Sequence, residues 1–337
     1  MGDGDYRMDY QSVGVDLLEQ DMFNARLANK LPWLGGFAGA VDIGDDYLVS
    51  SCDGIGTKIQ LYLDNRTHDG VSIKNLGKDL VAMVFNDIVC TGAIPLFMND
   101  YLAVNNLTNL SDINYLDLIA GINEGLQEFP KPIPLVSGET AIMPAMMEKG
   151  KFDIAGFGVG AIKKENFIDG TGIKEGDWMI GLQSSGFHSN GYTLIREIWK
   201  ENKEGLERKE AEQLLLKFLR PTRIYVRAVL NLLEKHREAV KGIAHITGGG
   251  RDNVLRLLGE DINLRPKWND NWAKPEEFKW IQEKGKVSNE EMKRVFNDGI
   301  GMIFIVKESS AVAIIETLTE FGENPIICGK ITSRLKQ

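Results

Sequence analysis

Asn86-Asp87-Ile88-Val89-Cys90-Thr91-Gly92-Ala93-Ile94-Pro95 closes a helix and leaves an acid at its end. Upstream, Ile73, Leu76, Leu80, Val84 and Ile88 recur at three- and four-residue spacing and mark one buried helical face. Gly92 can take the left-handed conformation that ends a helix, and Pro95 cannot continue one. Asp87 then falls in the last turn, where the helix dipole favours cations. A carboxylate there is either solvated or holds a cation, and these residues alone leave both readings open.

Asp53-Gly54-Ile55-Gly56-Thr57-Lys58 follows the apolar, small run Tyr47-Leu48-Val49-Ser50-Ser51-Cys52, which reads as a buried strand. Asp53 would lie at that strand's C-terminal end, where open α/β sheets place ligands. Gly54 and Gly56 let backbone amides approach an anion, Thr57 offers a hydroxyl and Lys58 a charge. The set suits a magnesium–phosphate group, with Asp for the metal and Lys and amides for the oxygens. The competing reading is a polar strand-to-loop turn.

A chain of 337 residues exceeds one ordinary core, so two domains are expected. Hydrophobic content of 43% and charged content of 26% are those of a soluble globular protein. A net charge of −9 argues against nucleic-acid binding, and no apolar run reaches the ~18 residues of a membrane span. The acidic start Met1-Gly2-Asp3-Gly4-Asp5 has no signal-peptide character. Cys52, Cys90 and Cys328 read as buried free thiols in a reducing cytoplasm.

Along the chain, a helix is expected around Leu18 to Leu31, followed by Gly35-Gly36-Phe37-Ala38-Gly39. Residues 41–63 read as two strands, Leu96 to Val104 as a strand, Leu110 to Phe129 as a helix and Pro134 to Ser137 as a short strand. Phe152 to Ile162 is a glycine-dotted strand whose small residues permit close packing. The polar stretch Lys163 to Gly176 divides the chain into residues 1–165 and 166–337. The second half opens with a strand, Trp178 to Leu182. It continues through Ser184-Ser185-Gly186-Phe187-His188-Ser189-Asn190-Gly191, a glycine-bracketed loop suited to a phosphate or carboxylate, into a helix from Tyr192. Lys200 to Leu219 reads as a charged amphipathic helix, Pro221 starts another through Leu233, and His236 is expected to face solvent. His245-Ile246-Thr247-Gly248-Gly249-Gly250 leaves a short strand and forms a second anion-binding turn, and Phe296 to Val306 is a turn feeding a strand. The alternation of strands and helices predicts an α/β fold with mixed α+β sheets. Phosphate-loop, dinucleotide, zinc-protease and serine-hydrolase signatures are missing from the sequence.

The chain resembles the phosphoribosylformylglycinamidine cyclo-ligase (aminoimidazole ribonucleotide synthetase) family from about Tyr10 to Ile331. The family's Y-x-x-x-G-V-D is similar to Tyr10 through Asp16, its DGVGTK to Asp53–Lys58, and its D-x4-G-A-x-P to Asp87–Pro95. Its GGETAEMPG appears as Ser137-Gly138-Glu139-Thr140-Ala141-Ile142-Met143-Pro144-Ala145. Its SSGxHSNGYSLxR, PTRIYV, H-[IL]-TGGG and FNxGxGM resemble Ser184–Arg196, Pro221–Val226, His245–Gly250 and Phe296–Met302, in the same order. Ile142 and Ala145 replace an acid and a glycine, Ser137 replaces a glycine, and the glycine-rich loop reads GGFAGA rather than GGFGA.

The resemblance implies ATP and Mg²⁺ as cofactors, formylglycinamidine ribonucleotide as substrate, and a cytoplasmic homodimer whose N-terminal sheets join in a barrel across the two-fold. It also implies roles for single residues. Asp53 and Asp87 would bind Mg²⁺ with Asn86 adjacent, and Asp79, roughly two turns earlier on the same helix, is a further metal candidate. Lys58 and Thr57 would contact ATP phosphates, and Gly35, Gly36 and Gly39 would form a loop over the nucleotide. Glu139 and Thr140 would polarise or bind substrate, while His188, Ser189 and Asn190 would orient the formyl oxygen or the γ-phosphate. Gly248, Gly249 and Gly250 would hold a phosphate. Alternatives are selenophosphate synthetase, thiamine-phosphate kinase, a hydrogenase-maturation dehydratase, the larger formylglycinamidine synthetase, or a non-catalytic ATP-binding scaffold.

Overall fold

The computed structural model describes residues 8–16, 19, 22–23, 26–27, 30, 36–107, 113–259 and 263–333. Gly35 and most of the expected Leu18–Leu31 helix lie outside them. Two five-stranded sheets organise the chain. The first contains β1 (Gly39–Asp42), β2 (Asp46–Gly54), β3 (Ile94–Val104), β4 (Leu135–Ile142) and β5 (Phe152–Lys163) in the order β1-β2-β5-β3-β4. Only β3 and β4 are parallel; the other neighbours are antiparallel.

Helices α1 (Lys58–Asn65), α2 (Lys74–Cys90) and α3 (Tyr115–Gln127) complete this half. The apolar face expected from Ile73 to Ile88 is buried. It lies on β5 where the strand carries glycine. Cβ atoms added at Gly156, Gly158 and Gly160 would meet Leu80, Val84 and Ile88 of α2, so the helix settles onto bare backbone. Gly77 and Gly121 do the same between α2 and α3.

The second sheet contains β6 (Trp178–Gln183), β7 (Val240–His245), β8 (Leu264–Trp268), β9 (Ile300–Val306) and β10 (Pro325–Ser333), antiparallel throughout in the order β7-β9-β6-β10-β8. Every residue of β9 is buried, as expected for a central strand covered on both faces. Helices α4 (Tyr192–Asn202), α5 (Arg208–Phe218), α6 (Val226–His236), α7 (Glu276–Lys284), α8 (Asn289–Val295) and α9 (Ala311–Glu320) belong to this half. Helix α2 also packs against β7 and α6, so it is shared by both halves. Among the described residues, no helix is long and apolar enough to cross a membrane.

Several expectations need correction. Lys58–Asn65 is helical, not part of a second strand; Ile59, Leu61 and Leu63 mimic strand alternation, but Tyr62 between them is buried as well, which alternation would not allow. The single helix expected from Lys200 to Leu219 is broken at Lys203–Gly205 into α4 and α5. The helix expected from Pro221 begins at Val226. Strand β4 runs on to Ile142 rather than stopping at Ser137. His236 is half-buried, with Nε2 2.8 Å from Thr317 Oγ1. Cys52 is exposed while Cys90 and Cys328 are buried; the two-residue period of β2 buries Val49 and Ser51 and turns Cys52 to the other face.

Candidate active site

The two halves face each other across a cleft of about 880 Å³. One wall is built by the first half. Asp53 and Gly54 end β2, Ile55 and Gly56 form the turn into α1, and Asp87 projects from the last turn of α2. Gly56 holds φ at +63°, which lets the chain reverse into α1 beside Asp53. The opposite wall is the loop after β6, with Ser189 and Asn190, and the turn after β7, with Thr247, Gly248 and Gly249.

Burial, reinforced by the nearby charge of Asp87, pushes the Asp53 carboxyl up to about 6. Asp53 Oδ1 accepts the Gly54 amide at 2.7 Å. Asp87 is held from the other half: His245 Nδ1 lies 2.8 Å from its Oδ1, and with a carboxylate as acceptor that nitrogen carries the proton. His245 Nε2 then accepts from Asn86 Nδ2 at 3.3 Å. Asn86 is buried, not on the cleft wall; its Nδ2 donates to Arg223 O at 2.9 Å and its Oδ1 accepts the Tyr225 amide at 2.8 Å. Neighbouring residues of α2 thus divide the work. Asp87 faces the cleft, and Asn86 fastens the helix to the second half.

Two carboxylates facing one cleft form a hard-oxygen pair suited to a divalent cation. Among the described residues, no group of three or more acidic, histidine or cysteine side chains could enclose a metal. Asp53 and Asp87 therefore fit an ion that brings most of its ligands with it, as Mg²⁺ does when bound to nucleotide phosphates.

The structure does not bring Asp79 to this wall. Asp79 is fully buried, with Oδ1 taking Lys58 Nζ at 2.8 Å, the Thr222 amide at 2.7 Å and Thr222 Oγ1 at 2.6 Å. Lys58 is likewise fully buried and does not line the cleft; burial lowers its proton affinity and Asp79 partly restores it. Its neighbour Thr57 is exposed, with Oγ1 3.1 Å from Thr193 Oγ1. The His188 ring is also buried, at φ +60°, and burial holds it well below the usual histidine range. His188 Nε2 accepts the Ser185 amide at 3.2 Å, Gly301 leaves room for the ring, and the buried Nδ1 has no partner among the described residues, so His188 does not line the cleft. Asn190 does line the cleft, with a buried Nδ2 that has no partner among the described residues. Glu139 and Thr140 sit on β4, paired with Tyr101 and Leu102 at the sheet edge, and do not line the cleft. Gly36 adopts φ +70°, whereas Gly39 is already in β1, paired with Ser50.

In the glycine turn, Gly250 donates its amide to Thr247 O at 3.0 Å, while among the described residues the amides of Gly248 and Gly249 meet no acceptor. Gly250, at φ +54°, packs against the carbonyls of Lys293 and Phe296, where a Cβ would collide. That close approach docks α8 on the turn and brings Arg294 to the cleft. Arg256 reaches the same cleft and lies over the Phe37 ring, 5.4 Å from its centroid. Sequence reasoning missed both arginines, because neither stands in a recognisable motif. Tyr10 and Val15 of the N-terminal arm also line the cleft, and Glu291 anchors the arm by accepting the Tyr10 amide at 3.0 Å.

Comparison with known proteins agrees with this architecture. Residues 35–162 match the AIR synthase related protein N-terminal domain, and residues 174–336 match its C-terminal domain. The chain is 43% identical over 347 residues to phosphoribosylformylglycinamidine cyclo-ligase of Neisseria meningitidis, covering 97% of this chain and 96% of that one. It is 41% identical over 318 residues to the chloroplastic/mitochondrial cyclo-ligase of Vigna unguiculata, covering 91% of this chain and 77% of that one. A solved structure described as AaThiL complexed with AMPPCP and TMP has the same fold, with a TM-score of 0.65 at 15% identity over 94% of this chain and 92% of that one. Two sheets with a cleft between them, an Asp-bearing helix end facing a glycine turn, and paired domain matches spanning most of the sequence all lead to one assignment: the chain belongs to the AIR synthase related protein family.

Proposed function

We propose that this chain is a phosphoribosylformylglycinamidine cyclo-ligase, closing the imidazole ring of aminoimidazole ribonucleotide from formylglycinamidine ribonucleotide at the expense of ATP. The observation that carries the reading is the facing of Asp53 and Asp87 by the Gly248-Gly249 amides across one cleft, in a chain 43% identical to a named cyclo-ligase over nearly its whole length.

The reaction needs a poor leaving group made good. The formamide oxygen of the substrate attacks the γ-phosphorus of ATP, and ADP departs. The amidine nitrogen then attacks the same formyl carbon, the ring closes, and the former formamide oxygen leaves with phosphate. Mg²⁺ bound at Asp53 and Asp87 would offset the charge on the phosphate oxygens. The Gly248 and Gly249 amides, with Arg256 and Arg294, would hold anionic oxygen on the opposite wall. Because the second attack is intramolecular, holding the substrate folded in a shaped cleft supplies much of the acceleration. No covalent nucleophile is required.

The homodimer expected from the sequence has support in the outer face of the first sheet, which exposes Leu48, Ile94, Tyr101, Val136 and Phe157, an apolar surface suited to a second copy of the same sheet. Three free cysteines suit a reducing compartment such as the cytoplasm. ADP release from purified protein, with and without formylglycinamidine ribonucleotide, tests the activity. Substrate-dependent ADP would support the reading, and nucleotide binding without substrate-stimulated turnover would return the chain to a scaffold role.

A further inference from the structure

Lys58 Nζ donates to three acceptors: Asp79 Oδ1 at 2.8 Å, His188 O at 2.9 Å and Arg220 O at 2.7 Å. Two of the three belong to the second half of the chain. Asp79 Oδ1 reaches the same two segments, taking Ser189 Oγ at 3.1 Å and both the amide and hydroxyl of Thr222. Ser189 and Thr222 close the ring through their hydroxyls at 2.8 Å. Both charged side chains are completely buried. An ion pair without solvent is weak support for stability, since its desolvation offsets most of its attraction. It does fix geometry, because each charge must keep its partners or be left bare.

The segment so fixed is the one that carries Ser189 and Asn190 to the cleft. Backbone strain is held there too: His188 sits at φ +60°, a conformation that a non-glycine residue keeps only with surrounding contacts. The Lys58 bond to the His188 carbonyl and the Asp79 bond to the Ser189 hydroxyl fall inside that strained stretch.

We propose that Lys58 and Asp79 are positioning residues: a buried strut between the two halves that holds the His188–Asn190 segment in its reactive place, without either side chain touching nucleotide or metal. The proposal rests on the cyclo-ligase reading for its kinetic arm only. It predicts that losing the strut slows turnover while leaving ATP affinity intact, because the Asp53–Asp87 wall does not depend on it.

Thr222→Val is the cleanest variant, since Thr222 contacts Asp79 and Ser189 but does not line the cleft. It should lower kcat by about tenfold or more, leave the Kd of a fluorescent ATP analogue within about twofold, and speed hydrogen exchange at the Phe187–Asn190 amides. Lys58→Met should lower Tm strongly, again with unchanged analogue affinity well below that Tm. The double variant K58M/D79L should recover much of the lost Tm, having no bare charge, yet stay slow. Three results would overturn the strut: analogue binding weakened tenfold in K58M well below its own Tm, full recovery of kcat in the double variant, or unchanged exchange in T222V. Wild-type protein with no turnover would defeat the cyclo-ligase reading alone, and the exchange and nucleotide measurements would still decide the strut.

Discussion

His245 and Asp87 meet across the junction of the two halves, Nδ1 to Oδ1 at 2.8 Å, with the imidazole completely buried and the carboxylate opening to the cleft. The contact orients a metal-binding candidate from behind, as partners of ligating groups commonly do. His245→Ala should therefore raise the Mg²⁺ concentration needed for half-maximal turnover by roughly 10–100-fold, whereas Asp87→Asn should abolish turnover. A magnesium titration of both variants checks this, and an unchanged magnesium requirement in H245A would separate the contact from the metal.

Asp53 gives a pH prediction. Its folded value of about 6 lies above that of an ordinary aspartate, so between the two the folded chain holds a proton that the unfolded chain has lost. Its contribution to stability is present below the unfolded value and is lost as pH rises through 6. Magnesium needs the deprotonated carboxylate, so affinity should weaken as pH falls below about 6. Asp53→Asn should flatten the fall of Tm across that window, which a calorimetric pH series would show.

Arg294 and Arg256 are placed to bind anionic oxygen. Arg294→Met should raise KM for one of the two substrates by about 10–100-fold, as loss of a charge-assisted hydrogen bond does, with Tm unchanged. Steady-state kinetics with each substrate varied in turn identifies which phosphate it holds. No change in either KM would remove Arg294 from the binding surface.

Packing gives a prediction free of function. At Gly77 a Cβ would collide with backbone of α3, which cannot rotate aside, so Gly77→Ala should cost about 1–3 kcal/mol. Gly205 has open space around it, and Gly205→Ala should stay within about 0.5 kcal/mol. Urea unfolding of the pair compares them directly.

The exposed face of the first sheet should pair with a second copy. Phe157→Glu would place a charge in the middle of it, and sedimentation should show half the wild-type mass. A wild-type monomer would contradict this.

The helix ending at Cys90 was legible because its apolar spacing, Gly92 and Pro95 all agree on one answer. Asp53 was legible because a strand, two glycines and an acid fall in one short run. Lys58 was not: the same run suggests a phosphate contact, and only the fold brings Asp79, His188 and Arg220 around its ammonium group. Asp79 misled for the same reason, since helical spacing aligns it with Asp87 but cannot reveal that Thr222 covers it. Arg256 and Arg294 lie in ordinary charged segments, and their place at the cleft depends on how Gly250 docks α8. Glu139 lay in a family motif, yet sits at the sheet edge away from this cleft.

The most direct test of the central claim follows one oxygen atom. With formylglycinamidine ribonucleotide labelled by oxygen-18 in the formamide, phosphorylation of that oxygen requires the label to appear in the inorganic phosphate, matched one to one with aminoimidazole product. Label released into water instead, with unlabelled phosphate, would contradict it.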